Sequence, residues 1–257
     1  MKQVLVTGAN GQLGLAIRAV ELGYPELSFT FTGKSVLDVT NPGQIEAFFN
    51  TNTIDVCINA AAYTHVDKAE EETEAAYLLN ETAPRLLAEA CKKHGIFLIH
   101  ISTDFVFDGT KGSPYTAEDR PNPINVYGAS KLAGEKAIAN VGGDHCIVRT
   151  SWLYSEYGNN FQTKILAKAK TAPFLEVVSD LYGTPTYAPN LVVFLLNKTN
   201  DLTMPHKMEH FSDGTAMSWY DLAKRITQIE IKEITSEALN LKANRPTNTA
   251  LLNNLNE

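Results

Sequence analysis

Three glycines, each three positions from the next, open this chain directly after a short β-branched segment. The segment K2-Q-V-L-V-T7 predicts a strand, and G8-A-N-G-Q-L-G14 leads from it into a helical pattern. A glycine-rich turn between a first strand and a first helix is the setting in which backbone N–H groups bind the pyrophosphate of a dinucleotide. The sequence therefore predicts a nucleotide-binding βαβ unit, and the alternative is a turn with a purely structural role.

Each of the three glycines is expected to have a different structural role. Gly8 would make the tight turn, Gly11 would let the backbone approach the pyrophosphate, and Gly14 would let the helix pack closely on the strand. The cofactor-binding residues expected in this turn are Gly8, Asn10, Gly11, Gln12, Leu13 and Gly14.

Strands and helices alternate through the first 150 residues. Apolar runs at 2–7, 27–32, 55–59, 96–101 and 145–149 alternate with helical patterns at 12–22, 42–50, 75–94 and 127–140. Nearly continuous apolar strands separated by helices indicate a parallel sheet covered on both faces. We predict an α/β fold with a doubly wound, Rossmann-like parallel sheet and a smaller C-terminal substrate-binding lobe.

The regularity fades after about Trp152, which sets the expected domain division. Residues 1–151 would form an NAD(P)-binding Rossmann domain. Residues 152–257 would form mainly the substrate-binding lobe, with some segments returning to the Rossmann sheet. In this second part, S218-W-Y-D-L-A-K-R-I226 predicts a helix with Ser218 as its N-terminal cap.

Composition excludes several classes of function. The net charge is −7, whereas a protein that binds nucleic acid normally carries a basic field. No apolar run approaches the roughly 18 residues of a membrane span, and the N-terminal run is too short for a signal peptide. The three cysteines, Cys57, Cys91 and Cys146, lie singly in apolar segments and are expected to be buried, reduced thiols. We expect a cytoplasmic protein that binds neither nucleic acid nor membrane.

The second strand predicts which nicotinamide cofactor is used. An NAD-specific fold carries an acidic residue about 20 positions after the glycines, to bind the ribose 2′-hydroxyl, and here that position is Lys34. An ammonium group there would tolerate or attract a 2′-phosphate. We therefore expect NADPH to be used at least as well as NADH, with Asp38 and Val39 bordering the adenine. The alternative is that Lys34 is a solvated loop lysine.

Small side chains follow the third predicted strand in N59-A-A-A-Y63. Small residues at the carboxyl end of a parallel strand let a ligand approach the backbone, and ligands bind at this edge of open α/β sheets. Ala60, Ala61, Ala62 and Tyr63 are therefore expected to contact the cofactor. Tight helix packing is the alternative explanation.

Chemically useful groups follow the next strand. Ser102, Thr103 and Asp104 end the segment I101-S-T-D104, and Tyr127 and Lys131 stand four positions apart in the following helix. Residues at i and i+4 share one helix face. A hydroxyl at a strand end, a phenol and an ammonium group could polarise a ketone and protonate its oxygen on reduction. The spacing also arises by chance in many proteins.

Together these motifs resemble the extended short-chain dehydrogenase/reductase family. Within it, longer runs are similar to the dTDP-4-dehydrorhamnose reductases; these runs are I58-N-A-A-A-Y-T-H-V-D-K-A-E70, I101-S-T-D-F-V-F-D-G109, N125-V-Y-G-A-S-K-L-A-G-E-K136, R149-T-S-W-L-Y154 and G183-T-P-T186. The resemblance implies NADPH-dependent reduction of the 4-keto group of a dTDP-sugar for polysaccharide biosynthesis, with NADH as a second acceptable cofactor. It also implies that two copies can associate as a homodimer.

The resemblance assigns roles to individual residues. Tyr127 would be the general acid, Lys131 would lower the pKa of the phenol and bind the nicotinamide ribose, and Thr103 would polarise the carbonyl or tune Tyr127. Asp104 and Trp152 would contact the substrate together with Thr103 and Tyr127. For Asp104 the alternative is a structural cap, and for Trp152 it is a place in the core.

Departures from the family lie in the expected second lobe, where the stretch between Arg225 and Arg245 is also short. Members usually continue for some tens of residues beyond R245-P-T-N248, and they tend to carry a polar residue where this chain has Leu181. Another functional class keeps the same fold, because the β subunit of methionine adenosyltransferase is a regulatory relative. Turnover with a sugar nucleotide would distinguish an enzyme from such a binding protein.

One short motif suggests a different chemistry. H206-K-M-E-H210 matches the H-x-x-E-H pattern of some zinc peptidases. Those histidines must lie on a long helix, whereas Pro205 precedes this motif and E209-H-F-S212 favours a strand. We expect no metal site here.

Overall fold

A computed structural model of the protein describes residues 1–200, 202 and 207–253. Its strands are β1 (Lys2–Thr7), β2 (Leu27–Thr32), β3 (Val56–Asn59), β4 (Phe97–Thr103), β5 (His145–Thr150), β6 (Leu153–Tyr154), β7 (Phe174–Val178), β8 (Tyr182–Gly183), β9 (Thr186–Tyr187), β10 (Lys207–His210), β11 (Met217–Ser218) and β12 (Glu230–Ile234). Its α-helices are α1 (Gln12–Val20), α2 (Pro42–Thr51), α3 (Val66–Ala69), α4 (Thr73–Tyr77), α5 (Ala83–His94), α6 (Val126–Val141), α7 (Phe161–Ala169), α8 (Ala188–Asn200) and α9 (Trp219–Ile226). Within these residues, no helix is long and apolar enough to cross a membrane.

The central sheet has six strands in the order β2-β1-β3-β4-β5-β10. All of its neighbouring strands pair in parallel. One face packs on α1 and α8 and the other on α2 and α5, so that the sheet is buried between two apolar clusters. This confirms the predicted doubly wound α/β fold.

Part of the C-terminal half lies on the N-terminal sheet. β10 pairs with β5, and α8 packs on the same face as α1. The remaining elements form a smaller layer in which β7 pairs in parallel with β12, beneath α7 and α9. A division of the chain at residues 151 and 152 stays a prediction.

The cap of α9 follows from its sequence. Ser218 Oγ accepts a hydrogen bond from the backbone N–H of Asp221 at 3.1 Å, and the Asp221 carboxylate accepts one from the Ser218 N–H at 3.2 Å. This reciprocal arrangement satisfies two N–H groups that the first helical turn leaves without partners. The predicted start of the helix is confirmed, and it places Trp219 in the first turn.

The helix predicted over 75–94 is interrupted by a π-helical turn at Leu78–Thr82. Pro84 has no N–H to donate to the carbonyl of Asn80, so the regular ladder is broken at this point. The released carbonyl faces α6, where a Cβ on Gly134 would lie 2.0 Å from Asn80 O. The Asn80 amide meanwhile binds the backbone of Tyr63 and the hydroxyl of Ser130. The turn therefore joins the exit of β3 to α6.

Candidate active site

Three neighbouring cavities lie along the carboxyl edge of the sheet, where β1, β3 and β4 end. The first, called here the nucleotide cavity, has a volume of about 490 Å³ and is bounded by the glycine-rich turn and the exit of β2. The second, the catalytic cavity, has about 580 Å³ and contains the ends of β4 and α6. The third, the interlobe cavity, has about 500 Å³ and lies between the sheet and the C-terminal elements. Trp152 lines both the second and the third.

The structure distributes the predicted cofactor residues over the first two cavities. The nucleotide cavity is lined by Gly8, Asn10, Gly11, Lys34, Asp38, Val39, Ala60, Ala61, Ala62 and Tyr63. Gln12, Leu13 and Lys131 line the catalytic cavity. Gly14 lines neither cavity, because it packs against Ala9 of the glycine-rich turn. A Cβ on Gly14 would lie 2.5 Å from the Cα of Ala9. Of its two predicted roles, close packing of α1 is thus seen against the turn after β1, whereas contact with a cofactor cavity is not.

Gly8 allows two loops to meet beneath the nucleotide cavity. Its φ is +67°, and a Cβ would lie 2.5 Å from Ala61 N and 2.6 Å from the carbonyl carbon of Ala60. A side chain would therefore force apart the exits of β1 and β3 and strain the backbone as well. A Cβ on Gly11, by contrast, would contact only Gly8 O, at 3.2 Å. The space above Gly11 is thus open to a ligand.

Lys34 and Asp38 stand together at the mouth of the nucleotide cavity. Lys34 Nζ lies 3.9 Å from Asp38 Oδ2, and 86% of the lysine side chain is exposed. Asp38 Oδ1 accepts hydrogen bonds from the hydroxyl and the N–H of Thr40, and these bonds lower the pKa of Asp38. The carboxylate is thus oriented by its own loop, and the exposed ammonium group lies beside it at the mouth of the cavity.

Helix α6 begins where it can present Tyr127 to the end of β4. The Asn125 side chain caps the helix by accepting from Gly128 N at 2.8 Å. Gly128 allows very close packing, because a Cβ would lie 2.1 Å from the carbonyl oxygen of Phe105. The Tyr127 and Phe105 rings meet edge to face at 5.8 Å. Tyr127, Thr103 and Lys131 consequently line the same cavity.

The phenol of Tyr127 is held in its protonated form. Burial raises its pKa to about 12, a hydrogen bond with Thr103 lowers it, and the charge of Asp104 raises it. The lowering by Lys131 that the family resemblance implies is not among these effects. The pKa of Lys131 itself is lowered to about 8 by burial, against the opposing charge of Glu135. Because burial dominates at both groups, each is shifted toward its neutral form.

Asp104 is a buried carboxyl group at the edge of the catalytic cavity. Burial raises its pKa to about 7, although hydrogen bonds from the hydroxyls of Thr249 and Thr103 favour the charged form. Thr103 Oγ1 donates to Asp104 Oδ1 at 3.1 Å and also caps the short turn that follows by accepting from Phe105 N. Thr103, rather than Asp104, is therefore the cap at this position.

Two indole rings form the wall between the catalytic and interlobe cavities. Trp152 has a left-handed backbone with φ of 47°, a conformation that is uncommon for residues other than glycine. Its ring stacks on that of Trp219, and a Cβ on Gly183 would lie 2.6 Å from it. A place for Trp152 in the core is thus excluded, because the ring lines both cavities.

Cationic side chains line the interlobe cavity together with aromatic ones. Lys164, Lys168 and Arg245 accompany Phe161 and Trp219. Arg245 is paired with Asp67 at 2.8 Å, and Glu176 adds one carboxylate to the lining. Such a mixture suits a ligand that has both a ring to stack and negative charge.

Sequence reasoning missed several residues of this site. Phe105, Trp219, Arg245 and Thr249 line the interlobe cavity. The Ser218 cap placed Trp219 at a helix start, yet nothing local in the sequence indicated that its ring would meet Trp152. Leu181, singled out as a departure from the family, is buried in the wall of the same cavity.

The zinc-like motif falls partly outside the described residues, because His206 is not among them. The part that is described, Lys207–His210, forms β10. It is a strand, as expected for Glu209 and His210, but it begins two residues earlier and ends before Phe211. Among the residues that the structure describes, no cluster of three or more histidine, cysteine, aspartate or glutamate side chains could hold a metal ion.

Known proteins are similar to this chain in sequence and in structure. A dTDP-4-dehydrorhamnose reductase from Sinorhizobium fredii is 36% identical over 97% of this chain and 88% of its own length. One from Aggregatibacter actinomycetemcomitans is 40% identical over 87% of this chain and 77% of its own length. The crystal structure of a dTDP-4-dehydrorhamnose reductase from Bacillus anthracis in complex with NADP superposes with a TM-score of 0.95, at 36% identity, covering 99% of this chain and 92% of that one.

The family model described as the RmlD substrate binding domain matches residues 1–257. The match includes the glycine-rich turn, the Tyr127 helix and the second lobe. This chain therefore belongs to the RmlD substrate binding domain family.

Proposed function

We propose that this protein uses NADPH to reduce the 4-keto group of dTDP-4-dehydro-L-rhamnose, forming dTDP-L-rhamnose. The observation that carries the proposal is that Thr103, Tyr127 and Lys131 line a single cavity between a nucleotide cavity and an aromatic, cationic one. The names of the relatives agree with it, since two are dTDP-4-dehydrorhamnose reductases and a similar crystal structure contains NADP.

The residues of the first two cavities fit a dinucleotide phosphate. Gly11 leaves its backbone open to a pyrophosphate, and the three alanines after β3 leave room for a ring. Lys34 is placed to meet a 2′-phosphate, whereas Asp38 is bound by Thr40 and faces Lys34. Lys131, at the far end, is the candidate to bind the nicotinamide ribose. The bound reduced nicotinamide would supply the hydride for the carbonyl carbon.

The protein's own groups would supply the proton. Tyr127, whose pKa is about 12, carries its proton throughout the neutral range and can donate it to the carbonyl oxygen as negative charge develops there. Thr103 can hold that oxygen or the phenol by a hydrogen bond. An ammonium group on Lys131 would stabilise the resulting phenolate and can return a proton to it, because its own pKa is near 8.

The sugar nucleotide would occupy the interlobe cavity and reach Tyr127 past Trp152. Aromatic rings there suit the thymine base and the deoxysugar, and Lys164 and Lys168 suit the diphosphate, whereas Arg245 is already paired with Asp67. In this proposal residues 1–151 bind mainly the cofactor, and residues 152–257 bind mainly the substrate. Asp104 and Trp152 would contact the sugar.

Two further points belong to the same proposal. A cytoplasmic location agrees with the three free, buried cysteines, because that compartment keeps thiols reduced. Association of two copies, which the family resemblance implies, is tested by the mass of the purified protein in solution.

The test is NADPH oxidation by the purified protein supplied with enzymatically generated dTDP-4-dehydro-L-rhamnose, run beside Tyr127→Phe. We expect the rate of the Phe variant to fall by about a hundredfold or more, the usual worth of a general acid, while NADPH binding is retained. Unchanged turnover in the variant would remove Tyr127 from the mechanism. Binding of NADPH without turnover in the parent protein would support a regulatory role instead.

A further inference from the structure

A chain of buried hydrogen bonds reaches Lys131 from beneath the site. It begins at the backbone N–H of Ala61, which donates to Asn59 Oδ1 at 3.2 Å. Asn59 Nδ2 lies 3.0 Å from His100 Nδ1, and His100 Nε2 lies 3.3 Å from Lys131 Nζ. Lys131 Nζ in turn donates to the Ile101 carbonyl at 2.7 Å. The Asn59, His100 and Lys131 side chains are at most 2% exposed.

The donor and the acceptor of each hydrogen bond in this chain can be assigned, because some of its groups can only donate. A backbone N–H can only donate, so the oxygen of the Asn59 amide must face Ala61. The Thr7 hydroxyl donates to the same oxygen at 2.7 Å. The NH₂ group of Asn59 therefore points at His100 Nδ1, which must accept. Burial lowers the pKa of His100 well below its usual range, so the ring is neutral and carries its single proton on Nε2.

This tautomer bears on the protonation state of Lys131. A proton on His100 Nε2 points at Lys131 Nζ, where it can be accepted by the lone pair of a neutral amine. An ammonium group has no lone pair and would meet the N–H as a second donor. We propose that His100, locked by Asn59 with its proton on Nε2, is a positioning residue that holds the Lys131 amine beside the Ile101 carbonyl and disfavours its ammonium form.

The proposal rests on the proposed reduction and adds a step to it. When Tyr127 has given its proton to the substrate oxygen, an N–H bond of the Lys131 ammonium group breaks, and its proton forms a new O–H bond on the phenolate oxygen in the cavity that both side chains line. The phenol is restored, and the neutral amine that remains accepts the hydrogen bond from His100 Nε2. A lysine whose ammonium form is destabilised is the better proton donor.

Among the charged groups near Lys131, Glu135 on α6 acts on its titration, and Glu135 is itself paired with Arg149 of β5. Tyr127 on α6 and Asp104 after β4 line the same cavity, and His145 of β5 acts on His100. Glu135 raises the pKa of Lys131, so any variant must keep this ion pair intact. The substitutions chosen below lie on β3 and β4 only.

The first experiment reads the tautomer directly by NMR of the whole protein labelled with ¹⁵N-histidine, with the His100 signals assigned from their loss in His100→Asn. We expect a protonated Nε2 and an unprotonated Nδ1 from pH 6 to 9. Protonation at Nδ1, or an imidazolium ion, would overturn the proposal. The experiment needs no substrate, so its outcome is independent of the proposed reaction.

The second experiment measures the pKa of Lys131 by ¹³Cε-lysine NMR. In Asn59→Asp, the carboxylate still accepts from the Ala61 N–H and the Thr7 hydroxyl. It cannot donate to His100 Nδ1, so Nδ1 carries the proton and donates to the carboxylate. His100 Nε2 then has a lone pair and accepts a hydrogen bond from the Lys131 ammonium group. We expect the pKa of Lys131 to rise by about 1 unit or more, as a new hydrogen bond to the charged form would cause. The negative charge of the introduced carboxylate also raises the pKa of Lys131. The control for this effect is the double variant that combines Asn59→Asp with His100→Asn.

In this double variant no imidazole is present to transmit the change. If His100 acts as proposed, Asn59→Asp shifts the pKa of Lys131 much less in the His100→Asn background than in the parent. Equal shifts in the two backgrounds would mean that charge alone is responsible, and would overturn the proposal. His100→Gln, which places an amide near the position of Nε2, should keep the pKa closer to the parent value than His100→Asn does.

Discussion

The indole rings of Trp152 and Trp219 stack face to face, with their centroids 3.6 Å apart and their planes 7° from parallel. Phe161 extends the stack, since its ring lies 4.5 Å from that of Trp219. Backbone strain of the kind found at Trp152 costs on the order of 1–3 kcal/mol and persists only where surrounding contacts enforce it. The stack and Gly183 supply those contacts, so the position of Trp152 depends on residues that are distant in the chain and that folding brings against its ring.

Trp219→Ala should weaken substrate binding through Trp152. An aromatic pair contributes about 1 kcal/mol beyond the area that it buries, so we expect the KM for the sugar nucleotide to rise about fivefold and the affinity for NADPH to stay unchanged. Steady-state kinetics and NADPH fluorescence titration measure the two effects. Trp219→Phe, which keeps a ring, is the control and should lie closer to the parent. An unchanged KM in the Ala variant would show that Trp152 holds its position without Trp219.

Gly183→Ala should displace the Trp152 ring from the other side. The new methyl group would stand 2.6 Å from Trp152 Cε2, a separation that forces the ring to move. We expect kcat/KM for the sugar nucleotide to fall at least about tenfold, because misplaced substrate contacts are costly to catalysis, with cofactor binding retained. Gly23→Ala is the matched control, since a Cβ there meets nothing within 4 Å. Equal kinetics for the two variants would contradict the predicted clash.

Stability should fall as pH rises because of Asp104. The pKa of this group is raised from 3.8 to about 7 in the folded protein. Between about pH 4 and pH 7 the folded state therefore binds more protons than the unfolded state, and the free energy of unfolding decreases with pH. The full shift corresponds to about 4 kcal/mol, taking 1.36 kcal/mol per pKa unit.

Urea unfolding of the parent and of Asp104→Asn at pH 4.5 and 7.5 checks this prediction. The Asn variant has no titration at this site, so it should be relatively more stable at pH 7.5 than at pH 4.5 when compared with the parent. Comparing the two proteins at each pH removes the contribution of the other carboxylates. A stability difference that does not change with pH would mean that Asp104 ionises in the fold as it does in water.

Lys34→Ala should reduce the preference for NADPH over NADH. An exposed ammonium–phosphate pair is worth up to about 1 kcal/mol, so we expect the KM for NADPH to rise about three- to fivefold and that for NADH to change little. NADH serves as the internal control, because it lacks the 2′-phosphate. The effect should shrink at high salt, since exposed charges are screened. A parallel rise for both cofactors would indicate a structural effect instead.

The sheet and the outline of the site could be predicted from local signals. G8-x-x-G-x-x-G14, the alternation of apolar strands with helices, and the four-residue spacing of Tyr127 and Lys131 each depend on a few adjacent residues. Parallel strands bring their carboxyl ends to one edge. For that reason Thr103 and the alanines after β3 line adjoining cavities, as the sequence indicated.

Local signals were insufficient where distant segments meet. The helix predicted over 75–94 contains a π-helical turn because Pro84 lacks an N–H and the freed carbonyl of Asn80 faces Gly134 of another helix. The high pKa of Tyr127 is likewise a consequence of burial, which no spacing of residues reveals.

Sequence alone thus determined which groups are present at the edge of the sheet and in what order. Tertiary structure decided what they are next to: Trp219 against Trp152, Thr249 against Asp104, and His100 beneath Lys131. The physical reason is that backbone pattern depends on neighbours along the chain, whereas the burial, stacking and protonation of a side chain depend on residues that only folding brings within a few ångströms.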